Sequence, residues 1–291
     1  FNIVDQMLFS LKVEEVAKHC LKLLNEDKKV VIAFKSTMGA FLKDLNMVSG
    51  DVVLPEQLDF ARTLIKGLDS VFFYNYTDIE GNKSRERIEL SELSQSGLDR
   101  YNEIKEAMKA ESTGLSISPI DQLIQLLENS PKGENLGGHN GKTFKVGEVT
   151  GRNQRIRFDE NEAIVQSFRS DTEKFFRLFN SGDYDVLLIN QSGSTGSSAH
   201  ASQDFKDQRV RTMIIHQFEL DINTEIQKRG RINRTGQVVL PEYYYITSDI
   251  PAEQRLMTML KGKLKSLDAN TTGSQKTSED TLKSADFFNK Y

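Results

Sequence analysis

Lys29–Phe34 reads KVVIAF, and the polar triplet Lys35-Ser36-Thr37 follows it directly. A short apolar run without alternation is what a parallel strand covered on both faces requires. Before it, apolar residues recur at helical spacing (Leu11, Val13, Val16, Ala17, Cys20, Leu21, Leu23, Leu24), and Asn25-Glu26-Asp27 ends that helix. After it, a short helix is expected to about Leu45. Helix, buried strand, polar turn and helix form a βα unit of a doubly wound sheet. Ligands of such sheets bind beyond the carboxyl ends of the strands, so Lys35, Ser36 and Thr37 are placed to meet one. An ordinary polar turn leading into a helix N-cap has the same composition.

The same signal recurs downstream. Phe144–Val149 (FKVGEV), Asp185–Asn190 (DVLLIN), Arg211–His216 (RTMIIH) and Pro241–Thr247 (PEYYYIT) read as further strands. Glu162–Phe179 is expected as a helix with Ile164, Phe168, Phe175, Leu178 and Phe179 inward, stopped at Ser181-Gly182-Asp183. Pro251–Leu267 reads as a closing helix. The expected fold is therefore α/β, a parallel sheet with helices on both faces.

Residues 50–135 interrupt this rhythm and read as a mostly helical insertion. Pro55–Leu68 is amphipathic. Val71–Tyr76 (VFFYNY) suits strand or helix. Ile88–Lys109 is charged and helical with a break near Ser96-Gly97, and Pro119–Glu128 is an apolar-faced helix with Ser118 at its cap. The organisation expected is residues 1–49 and 136–267 as one sheet domain, 50–135 inserted, and 268–291 an extended or mobile segment. Gly141-Lys142-Thr143 ends like a phosphate-binding P-loop, but position 136, where the first glycine belongs, is Leu, and a strand rather than a helix follows.

Composition narrows the function classes. A net charge of −4 excludes a uniformly basic coat, so any nucleic-acid surface must be a local patch. A single cysteine, Cys20, can build neither a disulfide framework nor a cysteine-based zinc site and fits a reducing compartment, and four scattered histidines do not suggest a metal cluster. No apolar run is long enough for a membrane span, and the start lacks a signal-peptide pattern, so an intracellular protein is expected. Phe1 in place of an initiator Met suggests a fragment of a longer protein.

The turns beyond the strands carry the chemistry. Thr150-Gly151-Arg152-Asn153-Gln154-Arg155-Ile156-Arg157 places three arginines in a short basic stretch suited to a phosphate backbone, or simply to a solvated loop. Ser192–Ser202 (SGSTGSSAHAS) is a run of small residues that lets backbone N–H groups approach a phosphate. Gln227–Gln237 (QKRGRINRTGQ) gathers Lys228, Arg229, Arg231 and Arg234 at a helix end. Arginines three apart share a face, and each offers a fork of donors matched to phosphate. A solvated basic helix end, favoured by the helix dipole, is the plain alternative.

In chain order these turns read KST, TGR, SGSTGSS and QKRGRINR, which resembles the motif series in the second RecA-like domain of superfamily-two helicases and Swi/Snf translocases. Gln227, Gly230, Arg231 and Arg234 match the QxxGRxxR of motif VI. Ser192–Ser198, with Gly196 central, resembles motif V. Phe34-Lys35-Ser36-Thr37 resembles motif IV, and Thr150-Gly151 the nucleic-acid-contact motif after it. The series is most similar to the strawberry-notch-like helicases. Their EMTGRKGR looks like Glu148–Arg155, their APEY segment like Pro241-Glu242-Tyr243, their GEQR like Ala252-Glu253-Gln254-Arg255, and their terminal DNKYG like Asp286–Tyr291.

The resemblance implies a role for each matched position. Arg231 and Arg234 would reach the γ-phosphate of ATP held with Mg²⁺ by a partner N-terminal RecA-like domain, with Gln227 positioning them. Gly196, Ser194, Thr195 and Gly230 would lie at the nucleotide. Lys35, Ser36, Thr37, Thr150, Gly151, Arg152 and Arg155 would contact the backbone of DNA or RNA, DNA favoured. The P-loop lysine, the metal-binding acids and the water-activating glutamate belong to the partner domain, so this chain alone is expected to be inactive. Ser198 departs from the family, whose motif V often has an acid or amide there. A non-catalytic RecA-like scaffold binding nucleic acid or protein is the alternative.

Overall fold

The computed structural model describes residues 2–37, 39, 47–111, 114–133, 142–159, 162–190 and 196–271. The helix expected to Leu45, the turn at Leu136–Gly141, the segment Gln191–Thr195 and the tail including Asp286–Tyr291 lie outside the described residues.

Two helices, α1 (Asn2–Leu11) and α2 (Val13–Asn25), lead into β1 (Lys29–Ala33). The middle segment contains β2 (Val52–Val53), α3 (Ala61–Asp69), a hairpin of β3 (Phe73–Thr77) and β4 (Lys83–Arg87), α4 (Gln95–Glu111) and α5 (Pro119–Glu128). Then follow β5 (Val146–Val149), β6 (Gln154–Phe158), β7 (Ala163–Ser167), α6 (Thr172–Ser181), β8 (Val186–Ile189), β9 (Arg211–Ile215), α7 (Ile222–Arg229), β10 (Glu242–Tyr245) and α8 (Pro251–Thr271).

β1 is the centre of a five-stranded sheet in the order β10-β9-β1-β8-β5, every pair parallel. Its side chains alternate between two cores, which is why the run is apolar throughout. Val30, Ile32 and Phe34 face α1, α2 and α5, meeting Phe9, Val16, Cys20, Ile120 and Leu123. Val31 and Ala33 face α6 and α8, meeting Phe176, Phe179, Met257 and Leu260. A parallel sheet with helices on both faces is consistent with a RecA-like domain. The chain leaves β1 towards β5 and leaves β9 towards β10, so the topological switch lies between β1 and β9.

Three expectations need correction or refinement. The single helix over Glu162–Phe179 is instead a strand and a shorter helix. Ala163 and Val165 turn into the core while β7 pairs antiparallel with both β6 and β2, and α6 begins only where the Asp171 carboxylate accepts from Lys174 N at 3.0 Å. Gly182, with φ 90°, then caps α6 as the stop signal requires. In the middle segment, Phe73–Thr77 is a strand, and α4 runs through Gly97 without a break.

Candidate functional site

The turn after β1 is held chiefly by Gln217, just past the end of β9. Gln217 Oε1 accepts from the backbone N–H of both Lys35 and Ser36, each at 3.1 Å, and its Nε2 donates to Asp5 O at 3.2 Å. Gln6 Nε2 donates to Ser36 Oγ at 2.7 Å. Lys35 stays half exposed, near Asp5 (3.4 Å) and Glu219 (3.9 Å). Beyond these strand ends lies a cleft of about 320 Å³, lined by Lys12, Lys35, Gln217, Glu219 and Glu253 among others. The lining mixes both signs of charge. Lys12 is committed to it structurally: its ammonium donates to His216 O, Ile246 O and Glu253. Burial pulls the Lys12 pKa below its usual value, against the opposing pull of Glu253.

The turn after β5 lies beside that of β1, since a Cβ on Gly39 would sit 3.3 Å from Thr37 Oγ1 and 3.5 Å from Arg152 Cβ. Its expected role changes at Arg152. The guanidinium is 1 % exposed and forks onto two buried carboxylates, Asp121 (2.6 and 2.8 Å) and Glu148 (2.6 and 2.7 Å). Burial opposes that charge, but the two acids outweigh it and hold the Arg152 pKa above its ordinary value. Thr150 is buried too, its hydroxyl donating to Glu148 at 2.6 Å. Neither side chain is free for a phosphate. Gly151 and Arg155 remain exposed. Arg155 and Arg157 belong to β6 rather than to a loop, and the Arg155 guanidinium lies 5.7 Å from the Phe168 ring.

The turns after β8 and after α7 are stitched together across more than thirty residues. Ala199 N donates to Arg231 O at 2.8 Å, Arg231 Nη1 to Ser197 O at 3.1 Å, and Val238 N to Ala201 O at 2.8 Å. Gly196, with φ 85°, turns the chain beside them, a conformation that favours glycine. Ser198 Oγ bonds His200 Nδ1 at 2.6 Å. Ser194 and Thr195 lie outside the described residues.

The four cations of the cluster separate. Lys228 is buried on Glu225 (3.1 Å) and Gln217 O, and Arg229 stacks over the Tyr243 ring at 4.6 Å. Arg231 is half-buried, while Arg234 and Gln227 are exposed. Gly230 continues the right-handed turn at φ −61°. Among the described residues no carboxylate pairs with Arg231 or Arg234. Burial first, and then the Arg234 charge, lower the Arg231 pKa from its usual value. Two adjacent guanidiniums without a counter-ion form a site that an anion would relieve.

Sequence reasoning missed Gln217, Asp121 and Glu148, the side chains that hold the turns. Their signal was weak: Gln217 directly follows a buried run, and Asp121 is a lone acid in the first turn of an apolar helix.

Among the described residues, no group of three or more His, Cys, Asp or Glu could hold a metal, and no helix is long and apolar enough to cross a membrane. A family model described as the C-terminal domain on strawberry notch homologues matches residues 133–291. Strawberry notch homolog 1 of Rattus norvegicus is 31 % identical over 185 residues, covering 59 % of this chain and 14 % of that protein. Protein strawberry notch of Drosophila melanogaster is 30 % identical over 209 residues, 67 % of this chain and 12 % of that protein. Protein FORGETTER 1 of Arabidopsis thaliana is 25 % identical over 188 residues, 65 % of this chain and 14 % of that protein. The chain thus spans a small part of each relative's length. No solved structure matches it.

Proposed function

Because the chain belongs to the family of helicase C-terminal domains found on strawberry notch homologues, we propose that it is the C-terminal motor half of an ATP-dependent nucleic-acid helicase or translocase. The observation that carries this reading is the Arg231–Arg234 pair, which no carboxylate meets among the described residues, with Arg231 fixed to the Gly196 turn through Ser197 O. Phosphoryl transfer depends on positioning and on cations aimed at the developing charge. In this reading the pair meets the γ-phosphate of ATP bound with Mg²⁺ on an N-terminal RecA-like domain, and Gln227 orients it. The strand-end turns at Lys35–Thr37 and Gly151, with Arg155, grip a DNA or RNA backbone, DNA favoured. Closure of the two domains around ATP and reopening after hydrolysis advance the strand.

The test is made in the full-length protein. Arg231→Ala or Arg234→Ala is expected to lower nucleic-acid-stimulated ATP turnover at least about a thousandfold, with a smaller effect on nucleic-acid binding. The 291-residue chain alone is expected to turn over no ATP. Unchanged turnover in both full-length variants would reject the arginine-finger assignment. Absence of any turnover in the full-length parent would favour the scaffold reading, to which the His200-bonded Ser198 in motif V lends some support.

A further inference from the structure

The hairpin of β3 and β4 stands away from both cores. Among the described residues its ring contact with the rest of the chain is at its base. There the Phe72 ring meets Tyr101 edge-on at 5.4 Å, the Tyr101 hydroxyl donates to Asp69 at 2.7 Å, and Ile88 N donates to Phe72 O at 2.9 Å. Beyond the base every residue of both strands is exposed. A two-stranded ribbon with no buried face gains little stability from its own pairing, so its side chains are not there to fill a core.

The register sorts those side chains into two chemistries. Phe73 is opposite Arg87, Asn75 opposite Arg85 and Thr77 opposite Lys83, which puts all six on one face. That face has three cations at alternate positions of one strand, about 6.7 Å apart, and no acid. Among the described residues no carboxylate pairs with Lys83, Arg85 or Arg87, in a chain whose net charge is −4. Arg85 and Arg87 lie over the Phe73 ring, at 4.6 and 5.7 Å. Stacking uses the flat face of a guanidinium and leaves its in-plane donors available. The opposite face presents Tyr74 and Tyr76, each 49 % exposed, beside Glu86 and Ser84.

We propose that this hairpin is a second nucleic-acid contact, separate from the strand-end turns, and that it takes a single-stranded segment. The cationic face carries the sugar–phosphate chain, whose charge it complements. The tyrosine rings receive unpaired bases, which stack on aromatic side chains whatever their sequence. Two strands about 4.8 Å apart make a ribbon narrow enough for one flexible chain to touch both faces. A duplex keeps its base faces hidden and cannot use the tyrosines. The inference rests on the reading of nucleic acid as this chain's partner.

The test measures binding of a fluorescein-labelled oligothymidylate, and of a blunt DNA duplex, to the 291-residue chain by anisotropy over a range of KCl concentrations. The Arg85→Gln/Arg87→Gln double variant is expected to bind oligothymidylate at least tenfold more weakly. Its log–log salt slope should be shallower by about 1.4, the value for two lost phosphate contacts on a single strand. The Tyr74→Ala/Tyr76→Ala double variant is expected to lose at least about thirtyfold for oligothymidylate and nothing for the duplex. All four positions are exposed, so thermal melts of the variants should match the parent. Parental affinity and salt slope in both doubles, with oligothymidylate still bound, would overturn the hairpin assignment and leave the strand-end reading standing. Equal losses for oligothymidylate and duplex in the tyrosine variant would overturn the single-strand preference. No binding of either probe by the parent at low salt would overturn both readings, and Arg155→Ala reports on the strand-end turns separately.

Discussion

Arg152 illustrates how far a residue's role depends on neighbours that are distant in sequence. In the string TGRNQR it looks like one more surface cation. In the fold it neutralises Asp121 and Glu148, and Asp121 also accepts from Ile156 N at 2.7 Å and from Ser118 Oγ at 2.5 Å. Removing the arginine would leave two carboxylates uncompensated in the core. Arg152→Ala is therefore expected to lower stability by about 3–5 kcal/mol, read as a lower denaturant midpoint in urea. A variant of parental stability that had lost oligonucleotide binding would restore the surface role. Arg231 and Arg234 differ from it because among the described residues no acid reaches them. Their spacing was legible in sequence, whereas the absence of counter-ions was not.

At the scale of elements, the close seating of α6 on the sheet depends on Gly147. A Cβ there would lie 3.0 Å from Phe175 Cδ1 and 3.2 Å from Leu187 Cδ1, so the glycine in β5 makes room for the helix. Gly147→Ala is expected to cost about 1–3 kcal/mol through overpacking, measured as a shift in urea midpoint without a change in slope. A neutral or stabilising substitution would show that the Phe175 ring moves aside freely. The same region exposes the limit of periodicity. Ile164, Phe168, Phe175, Leu178 and Phe179 fall at helical spacing, but the first of them lies in a strand. The partners of that strand, Val52–Val53 and Gln154–Phe158, decide its conformation, and the first pair is more than a hundred residues away.

Across the whole molecule, buried ionisable groups make stability depend on pH. Lys29 at the start of the central strand is 0 % exposed, between the Asp207 carboxylate at 3.4 Å, Tyr184 O and the Phe179 ring. Burial, only partly offset by Asp207, brings its pKa from 10.5 to about 7. Between pH 7 and 10.5 the unfolded chain then binds the proton that the folded chain has released, so stability rises with pH across that window. Below pH 7 both states hold the proton and this contribution is flat. His216 adds to the trend at lower pH. Burial, with the Lys12 charge, keeps it neutral well below its ordinary 6.5, so stability falls as pH drops below that value. The melting temperature is expected to rise from pH 7 to 9.5, and Lys29→Met should flatten that rise. An equal slope in parent and variant would remove Lys29 as its source.

The sequence by itself determined the layered α/β architecture and the chain order of its turns, because burial on both faces forces continuous apolar runs and a parallel sheet puts its turns beyond strand ends. It also determined the arginine spacing in Gln227–Gln237. Only the tertiary structure decided which cations are free. Charge neutralisation is a matter of a few ångströms in space: Asp121 is 31 positions from Arg152 and Ser197 is 34 from Arg231. The exposure of the hairpin was likewise settled in three dimensions, since the run VFFYNY suits strand or helix alike and only the fold buries Phe72 while leaving Phe73–Thr77 in water.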